Sequence, residues 1–372
     1  MPFLNKYKNK RVLVTGHTGF KGSWLSEWLI NLGAIVTGYA LPATEDSLFN
    51  QLKLDTRLDH IVGDVRSLNS IILAIDKCKP DFIFHLAAQP LVRLSYSKPV
   101  DTFSINIMGT VNVLEAVRLC GYDCCVVVIT TDKCYDNKEW VHSYREVDSI
   151  GGYDPYSASK GAAELVISSY RRSYFENAKA KVFLASGRAG NVIGGGDWSV
   201  DRIVPDCIRA LKNEKPILVR NKISTRPWQH VLEPLSGYLW LGANLSISSP
   251  KSIKNYAHSE YCSAFNFGPA IESNRSVGEL VDEILKVWPG NWIDVSNNNT
   301  LHEANLLNLS TDKAYHYLGW KPIWNFQQTI MQTINWYRQA DDTVSDVQLL
   351  TIGQIQNYIY DATQQGLAWT CK

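Results

Sequence analysis

Arg11-Val12-Leu13-Val14-Thr15-Gly16-His17-Thr18-Gly19-Phe20-Lys21-Gly22-Ser23-Trp24 reads as a buried strand that passes through a glycine-rich turn into a helix. Arg11–Thr15 is a short apolar run of the kind covered on both faces of a sheet. Trp24, Leu25, Trp28, Leu29 and Leu32 then recur at helical spacing, and Gly33 stops the helix. Gly16, Gly19 and Gly22 form G-x-x-G-x-x-G at the junction. The first glycine permits the tight turn, the second lets backbone approach a pyrophosphate, and the third lets helix and strand pack closely. The helix N-terminus offers free N–H groups and the positive end of its dipole to phosphates. Three glycines alone also fit a turn and nothing more. The strand before them and the amphipathic helix after them favour a dinucleotide site.

The alternation continues outward from this unit. Strands are predicted over 35–41, at Ile61-Val62-Gly63, and over 82–86, 125–131 and 182–186. Helices are predicted over 68–78, closed by Lys79-Pro80, and over 104–120 and 156–174. Strands alternating with helices mean βαβ units and a parallel sheet, an α/β Rossmann-type doubly wound fold. After residue 190 the rhythm changes. Gly194-Gly195-Gly196 is a loop, the elements shorten, and Asn297-Asn298-Asn299 is a polar loop. The expected organisation is a Rossmann domain over 1–190, with 228–265 returning to it. A smaller, irregular lobe from 191–227 and 266–372 lies on the C-terminal edge of the sheet, where ligands of such folds bind.

A chain of 372 residues buries a core without disulfides or metals. Lys+Arg 37 against Asp+Glu 36 leaves a net charge of +1, which gives no support to a nucleic-acid or anionic-membrane partner. No apolar run is long enough to span a bilayer, and the basic start runs straight into the first strand, not into a signal-peptide core, so a cytoplasmic location is expected. The eight cysteines include no C-x-x-C and no zinc-type spacing; they read as packed thiols, and no metal site is expected.

Two further segments carry candidate chemistry. In Asp154-Pro155-Tyr156-Ser157-Ala158-Ser159-Lys160 the Asp suits an N-cap and the Pro a first helical position, which puts Tyr156 and Lys160 at i and i+4 on one face. A tyrosine near pKa 10 is a poor base, and an ammonium beside it favours the phenolate. Bringing it to about 7 takes ~4 kcal/mol, shared between Lys160 and a bound nicotinamide. An ordinary exposed helix pair has the same spacing. Thr131-Asp132-Lys133 follows the fifth strand on the ligand edge, where the plain alternative is a strand end and a turn. Taken with the glycine turn, these segments predict a site that handles hydroxyl groups. The second strand ends in Gly38-Tyr39-Ala40-Leu41, with no carboxylate for a ribose and no Arg for a 2′-phosphate, so NAD against NADP is not written there. Asp64 either receives the adenine amino group or caps the next helix.

The order Gly16-x-x-Gly19-x-x-Gly22, Asp64-Val65, His85-Leu86-Ala87-Ala88-Gln89, Asn106, Thr131 and Tyr156-x-x-x-Lys160 resembles the extended branch of the short-chain dehydrogenase/reductase superfamily. Segments 130–135, 151–157, 188–198 and 226–231 are similar to its nucleotide-sugar 4,6-dehydratases. The resemblance covers about residues 10–340, and nothing in the last thirty residues matches. It implies a CDP-glucose substrate. It also implies NAD held by Gly16, Gly19, Phe20, Lys21, Gly22, Asp64, Val65, Leu86, Ala87, Ala88, Gln89, Tyr156 and Lys160.

By the same resemblance, Tyr156 takes the proton of the sugar 4-OH while hydride leaves C4 for NAD. Thr131 hydrogen-bonds that hydroxyl, and Lys160 holds the ribose. The 4-ketone acidifies C5–H, Asp132 protonates the departing C6 oxygen, and the hydride returns to C6. Lys133 stands where related dTDP-glucose dehydratases carry a glutamate base. It is a base only if burial or positive charge lowers its pKa, and otherwise stabilises enolate charge. Asn191, Arg202, Arg220, Arg226 and Arg275 are the expected contacts of the nucleotide-sugar, and His17 is expected to face the cofactor phosphate or solvent. Relatives pair the 104–120 and 156–174 helices across a two-fold, which implies a homodimer or homotetramer. Two alternatives stay open: a 4-epimerase of the same branch, which needs only Thr131, Tyr156 and Lys160, and a non-catalytic NAD(H)-sensing Rossmann protein, which needs none of them.

Overall fold

The computed structural model describes residues 2–176, 181–247, 260–296, 306–341 and 346–370; the Asn297–Asn299 loop lies outside them. Seven strands form one sheet: β1 Arg11–Thr15, β2 Ile35–Ala40, β3 Asp59–Val62, β4 Phe82–His85, β5 Cys124–Ile129, β6 Val182–Ala189 and β7 Ala264–Phe267. Their order is β7-β6-β5-β4-β1-β2-β3, and every pairing is parallel. The order reverses between β1 and β4, which opens a crevice beyond their carboxyl ends, the place where doubly wound sheets take ligands. Helices α1 Phe20–Asn31, α2 Leu68–Cys78, α3 Gly109–Cys120, α4 Pro155–Tyr170, α5 Ile203–Lys212 and α6 Leu232–Ile247 follow in chain order. β4 and β5 are buried along their whole length, as a sheet covered on both faces requires.

Two strand ends differ from the sequence expectation. β5 stops at Ile129 because Thr131 leaves the ladder to cap the turn Asp132–Cys134, its hydroxyl accepting from the Lys133 N–H. β6 runs on to Ala189, since β7 pairs with Ser186 to Ala189. An arginine hid that extension: Arg188 is buried in the strand because Glu164 neutralises it.

The end of the chain, assigned to the lobe from sequence, packs on the nucleotide-binding half. Helix α7 Val347–Gln364 lies against α1, and Trp369 stacks on Phe3 with ring centroids 5.0 Å apart. The joint is fastened at Glu233 of α6. This fully buried carboxylate accepts from the Ile323 and Trp324 backbone N–H groups and from the Tyr358 hydroxyl at 2.7–3.1 Å. No cation among the described residues neutralises it, and burial pushes its pKa up to about 7 against those three donors. The folded pKa exceeds the unfolded one, so the protonated state carries the favourable contribution. That contribution is whole below the unfolded value of 4.5 and is lost as pH rises toward 7. The expected outcome is that the stability advantage of wild type over Glu233→Gln shrinks by about 3 kcal/mol between pH 4.5 and 8, read from paired urea titrations. A difference that does not change with pH would contradict it.

Candidate active site

A cavity of about 1250 Å³ occupies the crevice. It exceeds the few hundred to about 1,000 Å³ typical of one small ligand and suits two. One wall is the turn after β1. Gly16 has φ +74°, and a Cβ there would lie 2.7 Å from the Ala87 nitrogen; a Cβ on Gly22 would lie 2.1 Å from the Gly16 carbonyl oxygen. Both positions therefore exclude a side chain, which leaves Gly19 and the start of α1 open to the cavity as a phosphate cradle. Gly16, Gly19, Phe20, Lys21, Gly22, Asp64, Val65, Leu86, Ala87 and Ala88 all line it. Asp64 does not cap the next helix; Ser67 does. Its carboxylate is gripped by Arg66 at 2.6 and 2.9 Å, and that hydrogen bonding holds it below the usual carboxylate range. These donors and glycines fit a dinucleotide with its adenosine at the Asp64 end.

Two expectations for this wall are corrected. Gln89 does not line the cavity. Its side chain is spent on Leu91 and Thr102, while its backbone is held by Asn106, which also donates to Ser159 of α4. His17 faces neither phosphate nor solvent. It is fully buried over Gly38, with Nε2 2.7 Å from His60 Nδ1.

Asp154 caps α4 by accepting from the Ser157 N–H at 2.9 Å, with Pro155 in the first turn, and this start sets Tyr156 and Lys160 on the cavity wall. Thr131 and Lys133 line the same wall, at the end of β5. Asp132 lies just behind it. Its Oδ1 accepts from the Thr131 hydroxyl at 2.8 Å, and its Oδ2 is buried with no hydrogen-bond partner among the described residues. Lys133 donates to Asn191 Oδ1 at 3.2 Å and lies 3.8 Å from Asp132 Oδ1.

The electrostatics depart from the expected tyrosine–lysine coupling. Burial pushes the Tyr156 phenol up to about 12, with Thr131 and Arg202 pulling down and Asp132 and Asp154 pushing up; Lys160 is not among these leading influences. The Lys160 ammonium instead points at the Ile129 carbonyl, 3.4 Å away, and burial lowers it to about 8 while Glu164 opposes the fall.

Asn191, Arg202 and Arg226 line the lobe side of the cavity. Arg202 is anchored by Asp197 at 2.8 Å, and Arg226 by Ser224 and the Thr225 carbonyl. Arg220 and Arg275 do not line it. They are surface residues paired with Asp201 and Asp206, and with Glu279. An arginine missed from sequence takes their place: Arg93, in the short helix Val92–Ser97 after β4, lines the cavity and faces Asp201 at 3.5 Å. Its position just beyond a strand end on the ligand edge was the available signal.

Beneath the wall, Glu164 accepts from Arg188 at 2.8 Å, from Ser186 at 3.0 Å and from Thr130, all buried. Burial pushes this carboxyl up, but the Arg188 charge and the three hydrogen bonds outweigh it and hold it below its ordinary value. Glu164→Gln strands the Arg188 charge, so a loss of ~3–5 kcal/mol in unfolding free energy is expected in urea titration. A loss under ~1 kcal/mol would mean that the pair does not hold the wall.

A doubly wound nucleotide-binding fold with Thr131, Tyr156 and Lys160 on one cavity wall defines a class of short-chain dehydrogenase-type proteins. The sequence pattern of the GDP-mannose 4,6-dehydratase family matches residues 13–333, and the chain belongs to that family. The CDP-glucose 4,6-dehydratase of Salmonella typhimurium is 48% identical over 340 residues, covering 90% of this chain and 92% of that protein. Among solved structures, DesIV, a dTDP-glucose 4,6-dehydratase from Streptomyces venezuelae with NAD and TYD bound, shares the fold. Its TM-score is 0.74 at 22% identity, over 88% of this chain and 97% of that one. A UDP-glucose 4-epimerase from Thermotoga maritima superposes as well, with TM-score 0.73 at 19% identity over 88% and 98%, so the fold alone does not separate the two activities.

Proposed function

We propose that the protein is an NAD-dependent CDP-glucose 4,6-dehydratase that makes CDP-4-keto-6-deoxyglucose and water, a step of deoxysugar biosynthesis. The observation that carries this reading is the Thr131-Asp132-Lys133 turn. An epimerase needs only Thr131 of the three, whereas here a buried carboxyl with one unpaired oxygen stands directly behind the wall, with Lys133 and Asn191 beside it. The 48% identity to the Salmonella enzyme supports the CDP-glucose substrate. NAD fits the glycine cradle and the Asp64 end, and when bound it supplies the acceptor and later donor of the sugar C4 hydrogen. A non-catalytic sensor has no use for Thr131, Tyr156 and Lys160 on one wall.

In this reading Tyr156 takes the 4-OH proton and Thr131 orients that hydroxyl. On its own a phenol near 12 keeps its proton at neutral pH, so the base role needs the positive charges of a bound nicotinamide and of Lys160 to pull it down. Lys160 holds the cofactor ribose. Asp132 gives its proton to the departing C6 oxygen, and Lys133, beside Asn191, stabilises enolate charge. Arg202 and Arg226, with Asn191, hold the diphosphate. Helices α3 and α4 lie side by side and leave Leu119 and Leu165 exposed, which supports a homodimer built on that face. The seven cysteines among the described residues are free thiols, which supports a cytoplasmic site of action. No helix among the described residues is long and apolar enough to cross a membrane.

Incubation with CDP-glucose tests the reading: a 4-keto-6-deoxy product is expected, and a 4-epimer in its place would reject it. Tyr156→Phe is expected to retain nucleotide-sugar binding and lose turnover; more than about a tenth of the wild-type rate, a barrier change under ~1.4 kcal/mol, would remove it as the base. Asp132→Asn is expected to reduce bound cofactor on mixing and then stall, with deoxy product formed ~10²–10⁴-fold more slowly. Full turnover in that variant would take Asp132 out of the mechanism.

A further inference from the structure

The glycine turn turns its backbone toward the phosphates, but one of its side chains goes elsewhere. Lys21 lines the same cavity as Thr131, Lys133 and Tyr156, and its ammonium lies over the ring of Tyr238 from α6, 5.9 Å from the centroid. The charges that act on it are Arg202, Lys160 and Asp132, all at the reaction end of the cavity and none at the Asp64 end. Among the described residues it makes neither a hydrogen bond nor an ion pair. Asp132 Oδ2 and the Tyr238 hydroxyl, both fully buried and electrostatically coupled, also lack hydrogen-bond partners there. Lys133 is differently placed: it already donates to Asn191 beside Asp132.

We propose that Lys21, and not Lys133, is the base that removes the C5 proton in the elimination. The assignment rests on the dehydratase reading. With C4 oxidised to the ketone, the C5–H bond breaks, the proton goes to the Lys21 amine, and the electron pair enters the C4–C5 enolate. The enolate then expels the C6 oxygen, which leaves as water with the Asp132 proton. After C6 regains the hydrogen that left C4, the Lys21 ammonium returns its proton to C5. Tyr156 gives up the 4-OH proton and Asp132 regains one by exchange with solvent water once product has left, which restores the starting protonation states. Protons and electrons then balance without an outside reagent. Burial, helped by the like charges of Arg202 and Lys160 and opposed by Asp132, lowers Lys21 to about 7, so much of it is free amine at neutral pH.

The test compares the NAD-loaded wild type with Lys21→Met and Lys21→Arg, mixed with CDP-glucose in deuterated water. Both variants are expected to reduce bound cofactor on mixing, yet to lose C5 hydrogen exchange and deoxy product by ~10²-fold or more. Exchange that survives in Lys21→Met but disappears in Lys133→Met would overturn the assignment. So would rescue by arginine, which restores charge but not a base, or failure of Lys21→Met to retain cofactor, which would make Lys21 a binding residue. Wild-type protein that forms no deoxy product and exchanges no C5 hydrogen would overturn the dehydratase reading, and the assignment with it. A readout independent of turnover is the pH dependence of acetylation, followed by peptide mass spectrometry. The Lys21 labelling rate is expected to level off near pH 7–8, where exposed lysines are still rising; a midpoint near the ordinary lysine value of about 10 would contradict the proposal.

Discussion

Glu164 and Arg188 form an ion pair that is almost wholly buried, and the reaction wall stands on it. Glu164 lies one turn beyond Lys160 on α4, so its position fixes the helix that carries Tyr156 and Lys160. Its carboxylate reaches Thr130 at the end of β5, next to Thr131 and Asp132, and Ser186 on β6. Arg188 extends the tie to the Tyr135 hydroxyl at 2.8 Å, and Tyr135 to Asn266 on β7. Four elements that share no local sequence are thereby held in one register. Such a pair costs desolvation, so what it supplies is placement more than net stability.

Above that pair the cavity gathers cations. Lys21, Lys133, Lys160 and Arg202 all line it, one buried carboxyl, Asp132, stands just behind the wall, and Arg202 is partly balanced by Asp197. The imbalance suits diphosphates and an enolate; burial holds both Lys21 and Lys160 well below the ordinary lysine range, and at Lys21 the like charges of Arg202 and Lys160 add to the fall. The same burial that lowers the lysines raises Tyr156, so the wall is set for protons to move with the sugar chemistry and not ahead of it.

The Rossmann half was legible in the sequence because its signals are local. Alternating apolar runs, Lys79-Pro80 after α2 and Asp154-Pro155 before α4 each act within a few residues, and those elements fall where their patterns put them. What escaped was non-local. Arg188 reads as a strand breaker until Glu164 is known to lie 2.8 Å away, and His17 reads as a loop residue until Gly38 is seen to make room for its ring. Arg220 and Arg275 looked like phosphate ligands by residue type, but acidic neighbours hold them at the surface. The tyrosine–lysine spacing puts both residues on one cavity wall but does not set its electrostatics, because i, i+4 spacing fixes a shared face and not the direction in which a long side chain points.

The account requires a redox-neutral cycle in which the hydrogen on C4 of the sugar reappears on C6 of the same molecule. CDP-glucose deuterated at C4, converted by the NAD-loaded protein in ordinary water and read by NMR and mass spectrometry, tests this directly. Deuterium on the C6 methyl of a 4-keto-6-deoxy product is the expected result. Deuterium still on C4 of an epimerised hexose would contradict the account.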